Sequence, residues 1–197
     1  MSTLSVDLIE PVGSTLTLGQ SGDTVTIPAG GTFTNSGTAT GFAAGSTHAS
    51  QWRLTTDFTG SINPLALNLE EVDAPVGFGV LGSSMTQTGG IFTFPATGYW
   101  CITALGAFLA DTDSTSRATI EISSTINNAT YAAAASGYAG TYYETSTGVC
   151  SYIMNVTDVT QCKVRFSIFQ TVAGVTTKGD TLANETHFTF NRLADTP

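Results

Sequence analysis

Two histidines, three cysteines and one dense acidic run are the side chains in this sequence with the means to do chemistry. His48 and His187 are the only imidazoles, so a base and nucleophile pair would need one of them beside a Ser or Cys. The G-x-S-x-G wording of a strained nucleophile turn does not occur. Glu70, Glu71 and Asp73 are the closest-set carboxylates, but neighbouring strand residues face opposite sides, which separates the two glutamates instead of pairing them. A carboxylate pair drawn from distant strands stays open. Cys101, Cys150 and Cys162 are odd in number and widely spaced, without the C-x-x-C or His-containing spacing of a zinc site. They read either as small apolar fillers on inward strand faces or, for Cys150 and Cys162, as one disulfide. N-x-[ST] triplets at Asn128, Asn155 and Asn184 occur near the chance frequency for so Thr-rich a chain. The expectation is a protein that is not an enzyme, with no cofactor, no catalytic residue and no metal centre.

Composition narrows the partners. Charged residues make up 11% of the 197, with Lys+Arg 6 against Asp+Glu 15 and a net charge of -9. A phosphate backbone calls for clustered Lys and Arg that release counterions, so neither nucleic acid nor an anionic membrane is expected as a partner. Hydrophobic residues reach 41%, enough for a packed core and too many for a disordered chain. No run approaches the roughly 18 to 20 apolar residues of a membrane-spanning helix. The opening residues, Met1 to Asp7, have no basic and then apolar stretch. They predict either a signal removed beforehand or release by particle assembly and lysis.

The elements that must position any site are strands. No apolar stripe at i, i+3, i+4, i+7 is sustained, while Thr, Val, Ile, Phe and Tyr alternate between clusters of Gly, Pro, Asn and Asp. Strands are predicted at Trp52 to Phe58, Leu65 to Val72, Met85 to Phe94, Tyr99 to Ala110, Arg117 to Ser123, Gly148 to Val156, Lys163 to Thr171 and Thr186 to Leu193. Strands at this spacing without helical crossovers predict an all-β sandwich of two sheets. Ahead of it, residues 1–50 form a Gly/Thr-rich β arm and hinge, with the sandwich over 51–197. Short units in the arm put Leu16, Leu18, Val25, Ile27 and Phe33 on one face, which suits docking or oligomerisation. An ordinary meander within the main domain is the other reading. Thr38 to Ser50 is small and polar and predicts the hinge. Tyr131 to Tyr143 predicts a long surface loop in which Tyr131, Tyr138, Tyr142 and Tyr143 supply rings for recognition. Alternatively those rings cover the sandwich edge or lie between subunits.

Three stretches resemble the jelly roll shared by the complement globular-head and tumour-necrosis-factor families and by bacteriophage structural proteins. Gly90-Ile91-Phe92-Thr93-Phe94-Pro95-Ala96-Thr97-Gly98-Tyr99-Trp100 is similar to that family's G-x-F-T-x-P-x-x-G-x-Y turn, except that the second aromatic follows Gly98 directly. Cys162 to Phe169 resembles the penultimate core strand, and Thr186 to Leu193 the terminal strand that closes the sandwich. The order and spacing agree over Gln51 to Pro197. In the arm, the Leu-Gly-Gln-Ser-Gly-Asp-Thr-Val-Thr-Ile-Pro-Ala-Gly wording resembles N-terminal segments of marine and cyanobacterial phage fibre and capsid-surface proteins.

The resemblance implies an antiparallel jelly-roll β-sandwich that packs in threes through aromatic and aliphatic strand faces. It carries no catalytic residue. The family's calcium sites sit on acidic loops, and Asp111-Thr112-Asp113 offers two carboxylates. Calcium takes 6 to 8 oxygens, however, and no second acidic cluster completes the set. The resulting expectation is a homotrimeric virion protein on the capsid exterior that cements or decorates the head against the major capsid protein. The alternative is a tail-fibre tip that recognises a host-surface glycan or protein. A secreted cellular jelly-roll protein is a third reading.

Overall fold

Strict alternation of side chains is clearest in Gly98–Ala110, where Trp100, Ile102, Ala104, Phe108 and Ala110 are buried while Tyr99, Cys101, Thr103 and Leu105 are only partly so. A pleated strand sends successive side chains to opposite faces, so one face of this element enters a core. The structure, a computed structural model, describes residues 24, 26, 29–32, 46–110, 116–141 and 144–196. Among them are twelve strands and no helix. In chain order they are β1 (Ala49–Leu54), β2 (Phe58–Thr59), β3 (Leu69–Glu71), β4 (Thr86–Thr88), β5 (Ile91–Thr93) and β6 (Gly98–Ala110). Then come β7 (Ser116–Thr125), β8 (Ala132–Thr141), β9 (Thr145–Val156), β10 (Lys163–Gln170), β11 (Val175–Thr177) and β12 (His187–Ala194). They belong to one compact unit, Ala43–Pro197.

The strands make two antiparallel sheets. The first has seven strands, ordered β2-β11-β6-β12-β1-β3, with β9 paired to β6. β9 follows β6 from Gly98 to Leu109, while β12 and then β11 share the rest of its pairing. The second sheet is β4-β5-β10-β7-β8. Between them lie Trp100, Ile102, Phe188 and Phe190 from the first sheet and Ile120, Ile122, Val164, Phe166 and Ile168 from the second, all essentially without solvent exposure. Side chains from two inner faces meeting in this way define a β-sandwich core.

Several expectations are corrected in detail. The segment read as a recognition loop, Tyr131 to Tyr143, is mostly a strand: β8 covers Ala132–Thr141 and pairs with β7. Alanine and glycine are poor strand formers, and their composition resembles a loop. Here tertiary packing overrides propensity, because β8 lies so close to β9 that a Cβ on Gly137 would fall 2.5 Å from the Val149 carbonyl carbon. The predicted Met85 to Phe94 strand is a hairpin of two short strands, β4 and β5, turning at Gly89 and Gly90, both with positive φ. The first strand starts at Ala49 and ends at Leu54, earlier than the predicted Trp52 to Phe58.

The Gly98 position of the family-like turn is explained by geometry. Its φ is 138°, and a Cβ there would meet the Ala194 carbonyl oxygen at 2.5 Å and Arg192 Nε at 2.7 Å. Only glycine fits that approach without displacing the end of β12. Arg192 in turn donates from Nε to the Thr97 carbonyl at 2.7 Å and from Nη1 to the Thr47 hydroxyl at 2.9 Å, and it pairs with Asp195. The last strand is thereby fixed to the turn that opens β6.

Candidate interaction surfaces

The side chains with chemical potential are not brought together. His48 Nδ1 lies 3.0 Å from the Thr47 hydroxyl, and its ring is 5.8 Å from that of Trp100. His187 Nδ1 lies 3.1 Å from the Glu185 carbonyl. Among the described residues neither imidazole has a serine or cysteine partner. Glu70 receives Arg53 Nε at 2.7 Å on one face of β3, while Glu71 stands opposite Trp52 on the other, as alternation requires. The Arg53 guanidinium is fully buried and also reaches Asp73 at 2.7 Å and the Ala74 carbonyl at 2.9 Å, so this cluster clamps β3 to β1.

All three cysteines are free. Cys150 and Cys162 are buried and belong to different layers, Cys150 on β9 and Cys162 just ahead of β10, which fits the apolar-filler reading and not the disulfide. Burial pushes the Cys150 thiol up to about 11. Cys101 is half-buried on the outer side of β6. No group of three or more potential metal ligands occurs among the described residues. Asp111 and Asp113 lie outside those residues, as do Leu16, Leu18, Val25, Ile27, Phe33, Tyr142 and Tyr143.

Two outward faces remain. On the first sheet, pairing across β9, β6, β12 and β1 aligns side chains into rows. One row runs Ile153, Cys101, Asn191, Ala49 and ends at Leu81, which bridges Ala49 through two backbone bonds of 3.0 and 2.9 Å. The next runs Ser151, Thr103, Thr189 and Gln51, with the Thr103 and Ser151 hydroxyls 3.0 Å apart. A third joins Val149, Leu105 and His187. Ile153 is 59% exposed and Val149 53%, and no Asp, Glu, Lys or Arg stands in these rows across β9, β6 and β12.

On the second sheet, Tyr131 precedes β8, and its ring lies 4.4 Å from the Arg165 guanidinium of β10. Tyr138, within β8, lies 5.1 Å below Arg117 of β7. Of the predicted tyrosines, Tyr131 and Tyr138 are therefore placed against arginines that sequence alone did not single out, while Tyr142 and Tyr143 lie outside the described residues. A signal for Arg165 was available: Lys163-Val164-Arg165-Phe166 alternates, which points both cations away from the core.

Comparison with known proteins bears on the architecture. No family model matches the chain, and no curated protein does. Among solved structures, the Eiger TNF of S. frugiperda superposes with a TM-score of 0.55 at 12% identity, over 76% of this chain and 94% of that one. The fold is a TNF-like jelly roll. Murine APRIL is also similar, with a TM-score of 0.48 at 11% identity, over 74% of this chain and 98% of that one. At such identities the TNF-like likeness describes how the chain is folded and leaves its role to be argued from its own surfaces.

Proposed function

We propose that this protein is a non-enzymatic structural module that self-associates in threes through the outer face of its first sheet and decorates a bacteriophage head. The observation that carries the self-association is the set of uncharged rows across β9, β6 and β12, with Ile153 and Val149 more than half exposed. In a chain with 21 charged residues, 6 basic and 15 acidic, a face free of charge over three strands is what an interface core requires. Burying it against a second and third copy gains roughly 25 cal/mol for each Å² of apolar surface removed from water. The jelly-roll fold supports the threefold arrangement through the resemblance of the turn and terminal strands. The phage context rests on the wording of the arm, whose docking residues would be Leu16, Leu18, Val25, Ile27 and Phe33.

Sedimentation of the full chain tests the assembly. A mass of three protomers is expected at micromolar concentration, and a single protomer for Ile153→Asp combined with Val149→Asp. A wild-type chain that sediments as one protomer would remove the proposal. The virion role is read separately, as the copy number in purified particles: hundreds per particle are expected of a head protein, and a few to some tens would transfer it to the tail.

A further inference from the structure

The six basic residues fall into two sets of three that differ in how they are partnered. Arg53, Lys178 and Arg192 are each ion-paired, with Glu70 and Asp73, Asp57, and Asp195 respectively. The other three, Arg117, Lys163 and Arg165, have no carboxylate partner among the described residues, and all stand on the outer face of the second sheet. Lys163 is buried and committed to the Thr93 hydroxyl at 3.0 Å and the Val159 carbonyl at 2.6 Å. That leaves two arginines, each laid against a tyrosine.

The arrangement pre-organises both guanidinium groups. A guanidinium over a ring is attracted by the ring's quadrupole, which narrows the positions it takes. Among the described residues neither Arg165 Nε nor Tyr131 Oη has a hydrogen-bond partner and no protein acceptor engages the terminal nitrogens of Arg165, so the ring holds it. A planar fork of this kind matches a carboxylate or sulfate through two parallel hydrogen bonds. Between the arginines, Phe169, Thr119 and Tyr138 stand opposite one another across β10, β7 and β8. Phe169 is 36% exposed and Tyr138 62%, and together they offer apolar ring surface beside the Arg117 fork. Ile91 stands beside Arg165, and in the row between the two forks Glu121 lies opposite Ser167 and Ser136 and accepts from the Ser123 hydroxyl at 2.9 Å. From Ser123, the partner of Arg165, back to Arg117 is six residues of β7, or about 20 Å at the rise of a strand.

We propose that this face binds an anionic oligosaccharide, with acid groups in the Arg165 and Arg117 forks and a sugar ring laid on the Phe169 and Tyr138 side chains. The forks recognise the acid, the aromatic rings take the apolar face of a pyranose, and the spacing calls for a chain longer than one sugar. The net charge of -9 opposes such a ligand at large, which favours the face whose arginines have no carboxylate partner among the described residues. Nucleic-acid bases also stack on such rings, but a phosphate backbone draws its affinity from many cation contacts, and this face offers two among the described residues. This site is separate from the self-association face and does not rest on it.

Calorimetry with the intact protein tests the site, using oligogalacturonate as the carboxylated probe, dextran sulfate as the sulfated one, neutral dextran, and single-stranded DNA. Binding of one or both anionic sugars is expected, weakening as salt rises, with neutral dextran silent and DNA at least tenfold weaker. The stronger of the two sugars identifies the acid. Arg165→Gln, Tyr131→Ala and the exposed Arg117→Gln should each reduce affinity at least fivefold, and Arg165→Lys should not restore it. Each variant is compared with the wild-type circular dichroism spectrum and sedimentation mass, so that a folding or assembly defect is recognised as such. Equal binding of neutral dextran or DNA would overturn the proposal. So would an unchanged affinity in Arg117→Gln and Arg165→Gln, or a failure of both anionic sugars to bind.

Discussion

Phe166 of β10 and Phe188 of β12 stack face to face with ring centroids 3.8 Å apart and planes 13° from parallel, although they belong to different sheets. Phe92 meets Phe166 edge-on at 5.3 Å and lies 5.3 Å from Phe190, so four rings join the layers at one point. Removing a ring there takes contacts from both sheets at once. Phe166→Ala is expected to lower the unfolding free energy by about 3–5 kcal/mol, with Phe166→Leu losing much less. Urea denaturation measures both, and near-equal losses would show that the stacked ring geometry, not the filled volume, carries the contribution.

The Arg53 clamp sets an order among three substitutions. Arg53 is fully buried, the Glu70 side chain is 32% exposed and that of Asp73 is 74% exposed. Removing one partner of a buried charge costs about 3–5 kcal/mol, whereas a solvated partner contributes about 1 kcal/mol or less. Thermal unfolding should therefore show Arg53→Ala as the most damaging, Glu70→Gln as intermediate and Asp73→Asn as the mildest. A reversed order for the two carboxylates would contradict the clamp.

Cys150 yields a pH dependence with a definite sign. Burial raises its thiol from 9.0 to about 11 in the folded chain, so the unfolded chain gives up this proton first as pH increases. Its contribution to stability is complete below pH 9 and is lost between about pH 9 and 11. The denaturation midpoint of wild type should fall more steeply across that window than the midpoint of Cys150→Ala. At pH 8 a thiol reagent should leave Cys150 unmodified until the protein unfolds, as followed by mass spectrometry.

Two glycines of the same strand should respond differently to alanine. At Gly137 a Cβ falls 2.5 Å from the Val149 backbone, while at Gly140 it meets nothing within 4 Å. Gly137→Ala is expected to cost about 1–3 kcal/mol, since backbone and not a flexible side chain must give way. Gly140→Ala should be neutral or slightly stabilising, because it restricts the unfolded chain. Comparing the two thermal midpoints checks whether β8 and β9 must touch.

Much of the fold was legible because alternation is a local property. Trp100, Ile102 and Ala104, or Val164, Phe166 and Ile168, mark an inward face by their order in the chain, and each run became a core strand. The turn from Gly90 to Trp100 was readable only by its resemblance to a known motif, because the contacts that demand its glycines, Leu65 for Gly90 and Ala194 for Gly98, come from far along the chain. β8 was not legible. Ala132–Thr141 contains almost nothing that favours a strand, and it is a strand because the approach of β9 admits only small side chains. The pairing of arginine with tyrosine was equally hidden, because Arg165 and Tyr131 are distant in the chain and meet across β7 only once register is set.

The sequence by itself determined the all-β architecture, the inward residues of the long strands and the separation of Glu70 from Glu71, all of which follow from the two-residue period of an extended chain. Tertiary structure alone decided that Cys150 and Cys162 stay apart, that Tyr138 belongs to a strand, and that Ile153, Cys101 and Asn191 share one row. Those outcomes depend on which strands become neighbours and in what register, and a one-residue slip would exchange every face.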